Sequence, residues 1–171
     1  IYRIPRSHCV DILKDSGRAF IKAVPVLLFA VPLVRIFIQS QVNHAGLESM
    51  PIELAQSLAA FSGTAWPMFA PTVGAMGAFI AGSNTISNMM FSLFQFGMGL
   101  NIGVSPILIV ALQAVGGAAG NMICIHNIVA ASATCGLVGQ EGELIRKTII
   151  PTLYYLVMAG MIGLILMTWM R

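Results

Sequence analysis

The stretch that sets the architecture of the chain is PTVGAMGAFIAGSNTISNMMFSLFQFGMGL, residues 71–100. In it, two apolar arms flank a polar tip at residues 82–88. Each arm holds roughly a dozen residues, whereas a helix needs about 20 predominantly apolar residues to cross a bilayer. Two short arms around a polar tip predict a re-entrant hairpin over residues 64–100, which enters and leaves on the same side of a membrane. A single broken helix is the alternative.

The composition of the whole chain places this hairpin in a membrane protein. Of its 171 residues, 57% are hydrophobic and 9% are charged, and the mean hydropathy is +0.87. A soluble domain carries charge on about a quarter of its residues, so this composition excludes an ordinary water-soluble fold. Asp, Glu, Lys and Arg are absent from Leu54 to Gln140. We therefore expect an all-α, polytopic membrane protein with the lipid bilayer as its surroundings.

A second interruption of the same kind lies within residues 104–137. Two apolar arms flank the glycine-rich polar segment GGAAGNMICIHN, residues 116–127. Polar, non-helical backbone at membrane depth is tolerated only where protein or a water-filled cavity satisfies it. Paired interruptions of this kind point to the central site of a transporter. The segment is therefore predicted to be a broken transmembrane helix.

Basic loops set the predicted topology, because Lys and Arg are retained on the cytoplasmic side. The basic segment 1–18 and the loop with Arg146 and Lys147 are both expected inside, and Glu143 is spaced for a helical ion pair with Lys147. A hairpin that crossed completely would move that loop outside, so the charges favour the re-entrant interpretation. The full prediction is a cytoplasmic segment (1–18), a transmembrane helix (19–38), an outer loop with an interfacial helix (39–63), the re-entrant hairpin (64–100), the broken helix (104–137), a cytoplasmic loop (138–148) and a last transmembrane helix (149–170).

The polar residues of the tip form one face if residues 83–95 continue as a helix. Gly82 suits a tight turn before them, and Ser83 or Asn84 suits a helix N-cap. A helix N-terminus offers unpaired N–H donors and roughly half a positive charge, so it can hold a carboxylate without Lys or Arg. Carbonyls freed by the break could coordinate a small cation. At 100° per residue, the arc of about 140° holds Ser83, Asn84, Ser87, Asn88, Phe91 and Gln95.

Each polar feature also has a structural interpretation. Ser, Thr and Asn hydrogen-bond between membrane helices, but five such residues within positions 83–88 favour a binding site. In the second break, Gly116, Gly117 and Gly120 favour helix packing over ligand contact. His126 titrates near neutral pH, so it either carries a coupled proton or is a neutral side chain held by a carbonyl.

The cysteine and histidine residues do not predict an enzyme or a metal site. Cys124, His126 and Cys135 would supply three ligands where a structural zinc site has four. Ser105 and His126 lack an acidic partner for a hydrolase triad. The net charge of +3 is small and lies in clusters that bear on topology. We therefore expect no catalysis, no cofactor, no metal and no nucleic-acid partner.

Three segments resemble the L-lactate permease family: PTVGAMGAFIAGSNTISN (71–88), GGAAGNMI (116–123) and VAASATCGLVGQEGELIRKT (129–148). The resemblance extends from about Arg35 to the end of the chain. It implies the C-terminal portion of a longer permease, one half of an inverted-repeat architecture, with the other repeat upstream. It also implies proton-coupled symport of L-lactate, and of glycolate or another small 2-hydroxy monocarboxylate, across the bacterial cytoplasmic membrane. A sodium-coupled carrier, a passive anion channel and a non-transporting membrane subunit are the alternatives.

The resemblance also implies which residues contact the substrate. The family is similar to dicarboxylate and arsenite carriers, in which a Ser-Asn-Thr turn at a hairpin tip contributes to the site, with the second break opposite. This chain reads GNMICIHN (120–127) where many members read GKMISPQN, so Asn121 replaces a lysine and His126 replaces a glutamine. His126 is the candidate for proton coupling, and the sequence predicts no oligomeric state. The predicted substrate- and ion-binding residues are Gly82, Ser83, Asn84, Thr85, Ser87, Asn88, Gln95, Gly120, Asn121, His126 and Asn127.

Overall fold

The computed structural model describes residues 6–169, and at residues 6, 7, 19, 20, 22, 23, 25–27, 30 and 31 it describes the backbone alone. Every regular element in this range is helical, as predicted. The ends of the predicted cytoplasmic segment (1–5) and of the last predicted span (170) lie outside the described residues. The helices are α1 (Arg6–Ile38), α2 (Met50–Ser62), α3 (Trp66–Ala81), α4 (Asn84–Asn101), α5 (Pro106–Gly120), α6 (Ile125–Cys135) and α7 (Glu141–Trp169), and a 3-10 turn (Gly63–Ala65) joins α2 to α3.

The chain divides into two compact units. The first contains α1 up to Ile36, and the second begins at Phe37, the next-to-last residue of α1, and contains all the other helices. Within the described residues, α7 is long and apolar enough to cross a membrane. The pair α5 and α6, bent by 42° at its break, would add a second crossing if it is counted as one span. The candidate site lies wholly within the second unit.

Proline and glycine residues fix many of the helix ends. Pro51, Pro67 and Pro106 occupy the first turns of α2, α3 and α5, where the N–H that proline lacks would have no helical partner. α3 ends at Gly82 and α6 ends at Gly136, with φ angles of 69° and 71°. Glycine adopts this left-handed conformation without a steric penalty, so both helices stop where the sequence permits it.

The turn of the hairpin is shorter than the predicted tip of residues 82–88. The Ser83 hydroxyl accepts a hydrogen bond from the Ile86 N–H at 3.3 Å, which caps α4. The helix therefore resumes at Asn84, and the remaining tip residues belong to its first turns. For this reason α4, at 18 residues, is longer than its apolar arm alone. α3, at 16 residues, is longer than its arm because it begins at Trp66.

α3 and α4 run antiparallel as a hairpin. The Ser87 hydroxyl donates to the Gly74 carbonyl at 2.8 Å. Further along α4, Gln95 Nε2 donates to the carbonyl of Ala70, which comes earlier in α3. This opposite progression along the two helices fixes their relative direction.

Glycines let α3 and α5 approach until their backbones touch. A methyl group on Gly116 would overlap the Pro71 carbonyl, and one on Gly120 would overlap the backbone of Ala75, so the two helices run parallel. We call Gly74, Gly116, Gly117 and Gly120 the glycine seam. The predicted packing role of its α5 members is confirmed. Because these residues stay helical, the predicted break at 116–127 is confined to residues 121–124.

α7 packs antiparallel to α3 and lies beside α5. Gly160 lies against Met68, and Leu156 forms a buried cluster with Ala75 and Ala119. Leu156 is at the middle of α7, and the break begins just after Ala119. Because α3 continues beyond Ala75, the hairpin tip lies between the middle of α7 and its amino-terminal end.

α7 begins at Glu141, inside the predicted cytoplasmic loop. The carboxylates of Glu141 and Glu143 in its first turn interact favourably with the helix dipole. The predicted helical pair is confirmed, with Lys147 Nζ 2.7 Å from Glu143 Oε1. Hydrogen bonds from the Gly139 N–H and the Ser132 hydroxyl lower the pKa of the Glu141 carboxyl. The stabilising contribution of these hydrogen bonds is therefore fully present above the ordinary pKa of a carboxyl group. It is lost as the pH falls through the lowered pKa of Glu141.

Candidate substrate site

The hairpin tip lies against the break between α5 and α6. A methyl group on Gly82 would lie 3.0 Å from His126 Nδ1 and 3.5 Å from Cys124 Sγ. The predicted residues of the tip and of the break, which are far apart in the sequence, therefore occupy one region. We call this region, formed by residues 82–85, Asn88 and residues 120–127, the tip–break site.

Asn84 connects the tip to α5. Its Oδ1 accepts a hydrogen bond from Asn88 Nδ2 at 3.1 Å and lies where a methyl group on Gly117 would stand. Ser83 and Asn84 are half-buried, and Thr85 is exposed. Because the first N–H groups of a helix have no partner within it, the start of α4 presents hydrogen-bond donors here.

Two amide oxygens of the tip–break site are buried and have no hydrogen-bond partner in the described part of the chain. They are Asn88 Oδ1 and Asn121 Oδ1. The Asn88 amide is oriented by its other end, since Nδ2 donates to Asn84. Buried polar atoms in folded proteins nearly always have a partner, so each oxygen is a position at which a ligand donor would gain a hydrogen bond.

The break itself is shaped by short-range contacts. Asn127 Nδ2 donates to the Asn121 carbonyl at 3.1 Å, and Cys124 Sγ lies 3.8 Å from His126 Nδ1. Cys124 is fully buried, whereas His126 and Asn127 are exposed. The His126 imidazole is therefore accessible beside the tip, whereas the Cys124 thiol is enclosed by the residues around it.

Two of the predicted site residues lie on the buried side of α4. Ser87 and Gln95 have no exposed surface and bond to neighbouring helices. The polar face of α4 is thus turned toward protein, as predicted, and its opposite face packs on α2, where Gly97 approaches Ile52 and Ala55. The role of Ser87 and Gln95 as ligand contacts stays a prediction.

Sequence reasoning missed two buried polar residues, Trp66 and Gln113. Trp66 Nε1 donates to Gln95 Oε1 at 2.8 Å, and Gln113 lies between Gln95 and Ser87 with hydrogen bonds to both. Gln113 precedes Gly116, Gly117 and Gly120 by three, four and seven residues, and this spacing is the signal that could have identified it. Residues three, four and seven positions apart share one helix face, and the glycines mark that face as an interface.

The chemistry of the tip–break site is neutral and polar. Its groups are amides, hydroxyls, backbone N–H donors and one imidazole. In the part of the chain that the structure describes, three or more His, Cys, Asp or Glu side chains are nowhere grouped to hold a metal ion. The arrangement can bind an anion through N–H and amide donors and a ligand hydroxyl through amide oxygens.

Comparison with known proteins places these features in a family. The chain matches the family model of L-lactate permease over residues 1–170. It is 38% identical over 151 residues to the L-lactate permease of Salmonella typhi, covering 86% of this chain and 26% of the relative. It is 34% identical over 152 residues to the L-lactate permease of Bacillus subtilis (strain 168), covering 87% and 26%.

A glycolate permease of Escherichia coli (strain K12) is also similar, at 36% identity over 141 residues, covering 82% of this chain and 24% of the relative. The chain thus spans about a quarter of the length of these relatives. Solved structures offer no match. Since the family model covers the chain almost from end to end, the chain belongs to the L-lactate permease family.

Proposed function

We propose that the protein carries L-lactate, and glycolate or another small 2-hydroxy monocarboxylate, across the bacterial cytoplasmic membrane by proton-coupled symport. The contact between the tip at Gly82 and the break at His126 carries the proposal, because it joins two interruptions of a membrane fold in one polar region. Relatives named for L-lactate and for glycolate support the choice of substrate. Both solutes are carboxylates with a hydroxyl group on the neighbouring carbon.

The tip–break site suits both groups of such a substrate. The carboxylate would bind at the start of α4, where the helix dipole, the Ser83 hydroxyl and the Asn84 amide favour an anion. The 2-hydroxyl would donate to Asn88 Oδ1 or Asn121 Oδ1, which have no hydrogen-bond partner among the residues that the structure describes. The other proposed contacts around the substrate are Gly82, Thr85, Gly120, His126 and Asn127, with Ser87 and Gln95 behind them.

We also propose that α3 and α4 form a re-entrant hairpin and that α5 and α6 form a broken transmembrane helix, within a multi-pass inverted-repeat architecture. At 1.5 Å per residue, α3 and α4 are about 24 and 27 Å long, less than the roughly 30 Å of the hydrocarbon core. α6 continues beyond the tip toward the amino-terminal end of α7, whose first turns carry Arg146 and Lys147. Basic segments beside a membrane span are retained in the cytoplasm, so the hairpin would enter from the outside.

Uptake by the full permease in membrane vesicles tests this function. Under an imposed proton gradient, we expect accumulation of lactate and glycolate above their outside concentrations, and little accumulation of a dicarboxylate. Propionate, which is lactate without its hydroxyl group, should compete roughly tenfold more weakly than lactate, since it leaves a buried acceptor unpaired.

The other outcomes distinguish the alternatives. Accumulation under a sodium gradient alone would indicate a sodium-coupled carrier. Equilibration without accumulation under either gradient would indicate a passive anion channel, because a channel cannot concentrate its solute. Failure to take up any of these solutes, with the protein present in the membrane, would contradict the proposal.

Replacement of His126 tests proton coupling. We expect His126→Gln to transport lactate with an altered dependence on pH when the pH is varied between about 5 and 8, because an imidazole can take up a proton and an amide cannot. His126 is exposed, and the family resemblance suggests glutamine at this position, so the variant should fold. The measurement is the initial uptake rate across that pH range, with His44→Gln, an exposed histidine of the outer loop, as the matched control. An unchanged pH profile would assign His126 a structural role.

A further inference from the structure

A continuous chain of hydrogen bonds runs through the dry interface of α3, α4 and α5. Trp66 Nε1 donates to Gln95 Oε1 at 2.8 Å, and Gln95 Nε2 donates to Gln113 Oε1 at 3.0 Å. Gln113 Nε2 donates to Ser87 Oγ at 3.1 Å, and the Ser87 hydroxyl donates to the Gly74 carbonyl at 2.8 Å. The second hydrogens of the two amides point to the Ala70 carbonyl (3.3 Å) and the Ser87 carbonyl (3.5 Å). We call these four side chains the amide chain.

The indole of Trp66 fixes the direction of the amide chain. An indole N–H only donates, so Gln95 must present its oxygen to Trp66 and its nitrogen to the next residue. Gln113 must then present its oxygen to Gln95 and its nitrogen to Ser87. Each side chain donates all its hydrogens, and Ser87, Gln95 and Gln113 have no exposed surface. The interface therefore has one satisfied arrangement, since reversing either amide would bring two like groups together.

The amide chain lies directly behind the tip–break site. Ser87 is one turn along α4 from Asn84, and Gln113 is one turn before Gly117 in α5. Asn84 and Gly117 are in contact with each other. The hydrogen bond between Gln113 and Ser87 therefore sets the position of α4 along α5, and through it the position of Asn84.

We propose that Gln113 is a positioning residue for the substrate site, acting with Trp66, Gln95 and Ser87 to hold the hairpin tip against the break. The part of this proposal that concerns the substrate rests on the proposed function. The effect of Gln113 on the position of the hairpin tip does not depend on that function. Loss of the Gln113 amide would leave Ser87 and Gln95 with unpaired buried groups. The hairpin would shift along α5 to relieve them, and Asn84 and Gly82 would move with it.

The substitution Gln113→Glu introduces a carboxyl group that can replace the amide only in its protonated form. In its protonated form it has one acceptor and one donor in a planar group of the same size, so it can accept from Gln95 and donate to Ser87. Its ionised form has no donor and would place a charge in a buried interface, which is unfavourable. Methionine at the same position fills a similar volume and restores neither bond.

The first experiment measures lactate uptake by the full permease carrying Gln113→Met or Gln113→Glu. We expect Gln113→Met to raise the half-saturation concentration for lactate roughly tenfold at every pH. Gln113→Glu should match the unmodified permease at low pH and lose uptake relative to it as the pH rises. Gln41→Glu, an exposed position of the outer loop, is the matched control and should follow the unmodified protein throughout.

The second experiment follows the tip without any substrate. Cys124 is fully buried beside Gly82, whereas Cys9 and Cys135 are exposed and are first replaced by serine. Displacement of the tip by Gln113→Met should speed maleimide labelling of Cys124 roughly tenfold relative to the same background with Gln113 intact. In Gln113→Glu the labelling rate, divided by that of the background protein at each pH, should rise with pH.

The two readouts separate failure of this proposal from failure of the proposed function. Unchanged half-saturation and unchanged labelling in Gln113→Met, or a Gln113→Glu profile that parallels the unmodified permease, would overturn the positioning role. Absent lactate uptake by the unmodified permease, with faster Cys124 labelling in Gln113→Met, would instead overturn the lactate assignment and keep the positioning role.

Discussion

Asn84→Ala is expected to abolish lactate uptake by the full permease while leaving its level in the membrane unchanged. The Asn84 amide begins α4, contacts Gly117 of α5 and accepts the hydrogen bond of Asn88. Its loss removes a proposed donor to the carboxylate and frees Asn88 to reorient. Hydrogen bonds to charged groups contribute enough that we expect uptake to fall by roughly ten- to a hundredfold. The measurement is the initial rate of labelled lactate entry, normalised to the amount of permease.

Two further variants make this prediction specific. Asn84→Asp keeps the size of the side chain but places a negative charge where the carboxylate would bind, so it should abolish uptake as well. Asn101→Ala removes the same amide from the other end of α4, where it donates to the Gly97 carbonyl of its own helix. Near-normal uptake is expected for that control. Normal uptake by Asn84→Ala would remove this residue from the substrate site.

Gly116→Ala is expected to destabilise the permease because it inserts a methyl group between two backbones. The added carbon would overlap the Pro71 carbonyl, and neither backbone can move aside as a flexible side chain can. Overpacking of this kind costs about 1–3 kcal/mol in well-packed cores, and more where the obstacle is backbone. Thermal unfolding of the full permease in detergent should show a lower transition temperature and less folded protein.

Two other glycines provide controls for Gly116→Ala. Gly142 lies in α7 with open space around it and an ordinary helical conformation, so Gly142→Ala should be neutral or slightly stabilising. In Gly117→Ala, the methyl group would meet the Asn84 side chain, so we expect loss of uptake with less loss of stability. Equal thermal stability of Gly116→Ala and Gly142→Ala would contradict the packing assigned to the seam.

Several features of the fold could be predicted because their causes are local. Gly82 and Ser83 mark the hairpin turn, since one adopts a left-handed conformation and the other caps the next helix. The pairing of Glu143 with Lys147 follows from helical spacing alone. Periodicity likewise predicted a polar face on α4, and the family strings predicted the permease family.

Other features depended on which helices meet. Gly116, Gly117 and Gly120 read as part of a break, because glycine weakens an isolated helix. The structure keeps them helical, since close packing against α3 compensates for that weakness. The break therefore falls at residues 121–124, where the chain bends by 42° between α5 and α6.

The amino-acid sequence alone was enough to predict a membrane protein with a long uncharged stretch, two interrupted segments, capped helices and polar residues on one face of α4. The packing of the helices was needed to show which of those polar residues are accessible at the tip–break site and which are enclosed in the amide chain. Asn84 and Ser87 are indistinguishable by periodicity, yet one lies at the site and the other is fully buried. This difference arises because a buried hydroxyl or amide is held in place by its hydrogen-bond partner. For Ser87 that partner is Gln113, which belongs to a separate helix.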